Sequence, residues 1–436
     1  MSLEPAVVGQ SRGPARVMPD RLVTASLPAR PLVEPHLAAD PKNANHLVGA
    51  VMISVRDRAD LMQTRCAAVT TFDGGQTWLS HSFDFPRCYD PWGAILDDGT
   101  AIFVGLETDN NGAVPHMWLY RSSDGGRTWP DAPHSFGRAH DHPTIAVDRS
   151  GGRFHGTLYV SSTKVIRDAA GRIRTKAFVA RSRDGGRTFA TVEHELMNLL
   201  TTITSSGVLP DGGLLVLATT NQRYVADDRG SVPLRNRLYW AIRSDDGGQT
   251  FGAPMLISDM CAGGAGKGWP AMGVDINTLR PGRSYALCHD PAGTGPFLMR
   301  SDDNGDRWSD PSAVAPAAPA GANDHRQNAN LAVNRDGVVA VSWHDRGSTV
   351  ASTCWNVMVS VSFDGGQTFE GPHQVSTAPS CPATAENGYA QDFFPFGGHY
   401  SGLAAAADGS FHLLWSDSRG PRYELRSAQL LVSPSR

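Results

Sequence analysis

The sequence predicts an all-β protein, a β-propeller of four-stranded antiparallel blades. Two observations predict it. One octet, Ser/Thr-x-Asp-x-Gly-x-Thr-aromatic with small departures, occurs six times, and each copy follows a set of short alternating apolar runs. The aspartates of the copies are Asp73, Asp124, Asp184, Asp246, Asp303 and Asp364, separated by 51, 60, 62, 57 and 61 residues. A period of this size marks one supersecondary unit repeated along the chain. The 46 glycines and 29 prolines in 436 residues suit a fold of short strands and many turns.

Each unit reads as strands A to D. In the third, A is Thr144–Asp148, B is Thr157–Thr163, C is Ala177–Ser182 and D begins at Thr188. Alternating apolar residues broken by Gly/Asp turns specify antiparallel strands, and four-stranded sheets arranged radially make a propeller. The octet is the C–D turn. Its Asp accepts hydrogen bonds from backbone N–H groups further along, and its second Gly supplies a positive φ. Its aromatic ring packs between neighbouring sheets. Six equivalent copies make these aspartates turn staples rather than catalytic groups.

After the sixth octet come three more strands, Gly402–Asp408, Ser410–Asp417 and Glu424–Val432, with no octet among them. Their missing fourth strand is expected from Ala15–Val23, which would close the ring and cover its sheet edges. Seven blades are therefore expected, with six as the alternative. Residues 1–14 are expected to be disordered and 15–436 to form one domain.

Composition excludes several function classes. The net charge is −4 and charged residues make up 19%, so no basic face for nucleic acid is implied. No apolar run approaches the roughly 20 residues of a membrane span. The first residues lack the apolar core of a signal peptide. The six cysteines fall at one end of the blades and suggest the local pairs Cys66–Cys88, Cys261–Cys288 and Cys354–Cys381. Local disulfides imply a secreted or periplasmic protein whose leader lies outside this sequence. A monomer with a carbohydrate ligand is expected.

The octets resemble the Asp-box, or bacterial neuraminidase repeat, of the sialidase superfamily. The segment HYSGLAAAADGSFHLLW, His399–Trp415, is similar to the last-blade segment of that family. The resemblance implies a pocket on the face away from the octets, with Tyr400 as nucleophile and a carboxylate helper to accept its proton. A phenol needs that help because its ordinary pKa is about 10. It further implies a general acid/base in VRDRADLMQ, either Asp57 or Asp60, and arginines clamping a substrate carboxylate. Arg326 in DHRQNANLAV fits the late arginine and Arg223 the middle one. The first arginine is missing: Val33-Glu34-Pro35 stands where the family opens its first A strand with an arginine motif. An exo-acting glycoside hydrolase on a sugar other than sialic acid is thus the expected function. A non-catalytic glycan- or protein-binding propeller, or a lyase on an acidic polysaccharide, is the alternative.

Other residues expected around the same funnel are Glu107, as the helper carboxylate, and Arg419, Arg346, Trp269 and His142, as substrate contacts. No cofactor is expected. The pairs Asp141-His142, His289-Asp290, Asp324-His325 and His344-Asp345 carry the ligand types for a divalent metal. The set His142, Tyr400 and Arg326 would suit a lyase.

Overall fold

The computed structural model describes residues 15–54, 64–85, 87–108, 115–129, 132–196, 199–224, 231–261, 269, 271–276, 280, 282–289, 294–317, 326–347, 354–382 and 394–433. Seven antiparallel sheets follow one another along the chain. Blade 1 spans strands A Leu32–Ala39, B Leu47–Ser54, C Thr64–Thr71 and D Leu79–Phe83. Blades 2 to 6 repeat this order, with A strands starting at Cys88, His140, Leu199, Ala271 and Arg326. Blade 7 has A Gly402–Ala405, B Phe411–Asp417 and C Glu424–Val432. Its outer position is filled from the other end of the chain. Ala15–Val17 pairs with Leu430–Val432, and Arg21–Leu22 with Arg426–Ser427. The ring of seven blades closes with the N-terminal strand, as the sequence predicts.

The A strands of several blades begin earlier than the sequence reading made them, while that of blade 7 is shorter, ending at Ala405 rather than Asp408. In blade 3 the strand runs His140–Val147 rather than from Thr144. The reason is a β-bulge. Register shifts between Val33 and His36, Tyr89 and Trp92, Asp141 and Thr144, and Gln327 and Asn330 occupy equivalent places in four blades. In three of them a proline follows the bulged residue: Pro35, Pro91 and Pro143. A proline lacks the ladder's N–H donor, so it reads as loop in sequence, yet a bulge accommodates it within the strand.

The octet turns behave as staples. Asp184 Oδ1 accepts from the N–H groups of Arg187 and Thr188 at 3.0 and 2.9 Å, and Oδ2 from Thr188 Oγ1 at 2.6 Å. The same set recurs at Asp73, Asp124, Asp246 and Asp364. The fifth copy has Arg307 in place of Thr, so the Thr hydroxyl bond is missing, and Asp303 Oδ1 accepts from the Arg307 N–H and the Ser301 hydroxyl, both at 2.9 Å. Each turn presses on the preceding blade. Gly126 has φ +94°, and a Cβ there would lie 2.6 Å from Thr70 Oγ1 of blade 1, so a larger residue is barred twice over. The octet rings Trp78 and Trp129 are buried in the interblade core.

These bonds stabilise the ionised carboxylate. The Thr188 hydroxyl and N–H, then Ser182 and Arg187, hold Asp184 well below the usual carboxylate range. A depressed folded pKa contributes stability above the unfolded value of about 3.9 and loses it as pH falls. Asp184→Ala is therefore expected to lower stability by about 1 kcal/mol near neutral pH, by chemical denaturation, and by less near pH 3. An unchanged midpoint at neutral pH would show that the staple is dispensable.

Two of the expected disulfides are present: Cys66–Cys88, with Cα atoms 5.5 Å apart, and Cys354–Cys381, at 4.2 Å. The first joins strand C of blade 1 to the start of strand A of blade 2, so its cysteines sit in strands rather than loops. Cys288 is also disulfide-bonded; the side chain of its expected partner, Cys261, lies outside the described residues. Non-reducing peptide mapping is expected to recover Cys261–Cys288. A freely alkylated Cys261 would remove that pair. Among the described residues no helix is long and apolar enough to cross a membrane.

Candidate functional site

The seven A strands surround a central cavity of about 300 Å³, to which they contribute His36, Trp92, Ile145, Ser205, Met272, Asn330 and Leu403, among others, and Tyr400 lines it from just ahead of the last A strand. At its head the repeated bulge sets a ring of polar side chains. Glu34, Asp90, His142 and Asn328 all have positive φ, at 54°, 47°, 49° and 52°. Non-glycine residues reach this region at a cost of order 1 kcal/mol or more each, and such strain gathers at functional sites. The bulge turns these residues toward the propeller axis, where they meet residues of distant blades.

The contacts cross the funnel. His142 of blade 3 places Nδ1 2.5 Å from the Tyr400 hydroxyl, at the start of blade 7. The Tyr400 hydroxyl donates a longer bond of 3.4 Å to Asp90 Oδ1 of blade 2. His399 Nδ1 lies 3.1 Å from Glu34 Oε1 of blade 1, and the His399 N–H donates to the same oxygen at 3.3 Å. Asn328 Nδ2 donates to the Gly398 carbonyl at 2.7 Å, fixing the backbone that carries His399 and Tyr400. Trp269 packs edge-on against the His142 ring at 4.1 Å, and Trp92 against Tyr400 at 5.7 Å. Trp92 also stacks on His36 at 4.0 Å.

The electrostatics follow from crowding. Burial raises the Asp90 pKa to about 6; His142 works against this, and the carboxylates of Glu34 and Asp141 add to it. Burial, then Asp90, Glu34 and Asp141, push the Tyr400 phenol well above its ordinary value, so the hydroxyl is protonated at any physiological pH. Burial alone would lower His399, but its bond to Glu34 and the charges of Glu34 and Asp90 raise it on balance. His36 is held neutral, its pKa lowered by burial to about 3. A cleft holding several strongly perturbed groups is the pattern expected of a working site.

The structure brings together Tyr400, His142 and Trp269 from the sequence-predicted set, and it separates others. Glu107 is not beside Tyr400: its Oε2 accepts from Trp118 Nε1 at 2.5 Å on the neighbouring strand. The carboxylate that meets Tyr400 is Asp90. Arg326 is buried, bonded to Asp345 at 2.9 Å and to the carbonyls of Pro316 and Thr294 at 2.7 and 3.2 Å. Arg419 is engaged with Asp417 at 2.8 Å and Asp20 at 3.2 Å, against the N-terminal strand. Arg346 lies over the Phe396 ring at 4.4 Å. These three arginines are thus tied into the blades rather than gathered as a carboxylate clamp. Arg223 lies on strand B of blade 4, and its side chain is outside the described residues, as are Asp57 and Asp60.

Among the described residues, His289, His344 and Asp345 do not join Asp141 and His142 in one group. His344 is buried against Trp355 and Phe396. His289 Nε2 accepts from the Ala329 N–H at 3.1 Å. Asp290, Asp324 and His325 lie outside the described residues. Asp141 and His142 do meet a third group, Asp90, with one ligand atom from each lying within 4.8 Å of the others.

Asp90 and the Glu34–His399 pair were not assigned roles from sequence. The signal that finds them is the alignment of VEPHLA, YDPWGA, DHPTIA and GWPAMG, which sets Glu34, Asp90, His142 and Trp269 at one position before a proline.

Comparison with solved structures shows the fold. A protein of unknown function from Dyadobacter fermentans DSM 18053 matches over 96% of this chain and all of its own, with TM-score 0.51 and 13% identity. A Hadza microbial sialidase, Hz136, matches over 98% of this chain and 94% of its own, with TM-score 0.50 and 13% identity. The Trypanosoma rangeli sialidase aligns with 80% of this chain, which spans 56% of that longer protein, with TM-score 0.47 and 13% identity. No protein-family model and no curated protein matches the chain. The architecture is sialidase-like, and at this identity the likeness extends to the fold alone.

Proposed function

We propose that the protein is a retaining glycoside hydrolase that removes a terminal sugar lacking a carboxylate, with Tyr400 as nucleophile. The observation that carries this is the Tyr400 hydroxyl at the head of the cavity, bonded to His142 Nδ1 and to Asp90 Oδ1. A phenol with a raised pKa attacks only as its proton leaves, and Asp90 Oδ1, to which the hydroxyl donates, is placed to take it, with His142 Nδ1 holding the oxygen from the other side. In the first step the Tyr400 oxygen bonds to the anomeric carbon as the glycosidic C–O bond breaks. The leaving oxygen takes a proton from an acid, for which Asp57 and Asp60 are the candidates. Water then gives a proton to the conjugate base of that acid and displaces Tyr400, whose oxygen recovers the proton held on Asp90. Tyrosine nucleophiles are an accepted departure from the two-carboxylate pattern of glycosidases.

Glu34, Asp90 and Asp141 would repel an anionic sugar at this spot, and Arg326 and Arg419 are engaged elsewhere. That argues against sialic acid and against lyase action on a uronate, both of which need a cation opposite the substrate carboxylate. We read the protein as a monomer acting on carbohydrate in an oxidising compartment, as its disulfides suit.

The test is a panel of aryl glycosides in both anomers, followed by a fluoro-sugar trap. Hydrolysis with a covalent adduct mapping to Tyr400 is the expected result. Turnover without an adduct at Tyr400 would refute its role. An unsaturated product from an acidic polysaccharide would establish a lyase instead, and tight glycan binding without any turnover a binding propeller. The pH profile gives a second check. If the Asp90 carboxylate must accept from Tyr400, kcat/KM is expected to fall below about pH 6, and Asp90→Asn to abolish that limb along with most of the activity. A flat profile from pH 5 to 7, the range about the titration of Asp90, would count against its part in the step.

A further inference from the structure

Three carboxyl groups meet beside the head of the cavity, and the nearest basic groups are histidines: His399 Nδ1 lies 3.1 Å from Glu34 Oε1, and His142 and His399 both act on Asp90. Among the described residues no arginine or lysine forms an ion pair with Asp90 or Asp141, and each has an oxygen within 4.8 Å of the other's and of a His142 ring nitrogen. A single ammonium can span that gap, because charge-assisted N–H···O bonds run about 2.7–2.9 Å on each side. The surroundings say which kind of cation fits. Trp92, Trp269 and Tyr400 line the adjoining cavity, and two of them touch the trio: Tyr400 bonds Asp90 and His142, and Trp269 packs on the His142 ring. Aromatic faces attract organic cations and stack on the apolar faces of sugar rings. They offer nothing to a bare metal ion, which wants further oxygen or nitrogen ligands. His142, the third potential ligand, is already held by Tyr400 through Nδ1 and by Trp269 edge-on.

We infer that the funnel selects a terminal sugar carrying a free basic amine, whose ammonium sits between Asp90 and Asp141 against the aromatic wall. This deepens the hydrolase reading and rests on it. The amine would supply the charge that the crowded carboxylates lack, so binding would favour the ionised form of Asp90 that the reaction uses.

The experiment compares kcat/KM near pH 7, where a hexosamine is largely ammonium, on nitrophenyl glycosides of glucosamine and galactosamine with their N-acetylated and unsubstituted counterparts. A preference for the free amine of about tenfold or more is expected, the worth of one charge-assisted contact. Asp141→Asn is expected to bring the ratio of amine to unsubstituted hexose to within about threefold, whatever its effect on the absolute rates. Equal turnover of all three classes would overturn the inference and leave the hydrolase standing. If no glycoside is cleaved, the hydrolase reading fails, and calorimetric titration with free glucosamine and galactosamine decides the inference: binding lost in Asp141→Asn upholds it, and no binding overturns it. Calcium, manganese or zinc binding tightly to the wild type and not to Asp141→Asn would also overturn it, by making the trio a metal site.

Discussion

Tyr400→Phe is expected to lower kcat by about a thousandfold or more while leaving the fold intact. The substitution removes one oxygen and keeps the ring that packs edge-on against Trp92. Two hydrogen bonds go, to His142 and to Asp90. Their loss costs stability about 1 kcal/mol, since each was exchanged against water in the unfolded chain. Without the nucleophilic oxygen the covalent route is closed, and the remaining groups offer only general-base assistance to water. Turnover and thermal melting measured on the same preparation separate the two effects. Activity retained within about tenfold would place the chemistry elsewhere, with His142 the first residue to test. A collapsed melting transition would mean that Tyr400 is a packing residue, and His142→Gln would then be the cleaner probe of the site.

The fold was legible because it is repetitive. Six octets mark six C–D turns, and each turn obeys local chemistry that survives in isolation: an Asp over the N–H groups of its own turn, a glycine at positive φ, a ring into the interblade core. The seventh blade has no octet, yet three alternating strands after Ser401 and one near Ala15 are visible as strands. What the sequence obscured was the start of the A strands in blades 1 to 3. Glu34-Pro35, Asp90-Pro91 and His142-Pro143 look like loop because proline cannot join a ladder, and only the bulge reconciles them with a strand.

The site was legible in part, and the division has a physical basis. Tyr400 and His142 can be picked out because each sits at the same point of a repeating unit. Which of them touch cannot, since a contact such as His142–Tyr400 joins residues 258 apart, across the axis of the ring. The arginines show the converse. Residue type suggested carboxylate binding for Arg326 and Arg419, but a guanidinium serves a structural carboxylate equally well, and Asp345, Asp417 and Asp20 lie nearer. Glu107 has the right charge on the wrong strand; at the end of a B strand it bonds the Trp118 indole of the adjacent C strand.

Removal of residues 1–23 is expected to disrupt the whole ring rather than fray one end. The segment supplies the outer strand of blade 7, pairing at Ala15–Val17 and Arg21–Leu22. Ala15 is buried with Val359, Phe411 and Leu430, so its loss opens apolar core as well as a sheet edge. Between the two short strands sits Asp20, whose carboxylate is fully enclosed. It accepts from Arg426 at 2.5 Å, from the Thr377 N–H and hydroxyl at 2.5 and 2.8 Å, and from Arg419 at 3.2 Å, so it ties the N-terminus to blades 6 and 7 together. Burial works to raise its pKa, but the Thr377 bonds, then Arg426 and Arg419, lower it on balance. Asp20→Ala leaves two guanidinium groups facing an empty acceptor, and removing one member of an enclosed ion pair costs about 3–5 kcal/mol. The sign of the pH dependence follows from the lowered pKa. The contribution is present above the unfolded value of about 3.9 and fades as pH falls through the folded value, so wild type and variant should converge in acid. Denaturant midpoints at neutral and acid pH test this, with Asp20→Asn as the variant that keeps the shape and removes the charge. A truncated protein that melts like the full chain, or an Asp20→Ala protein of unchanged midpoint, would mean that the six octet-bearing blades hold the ring without its N-terminal strand.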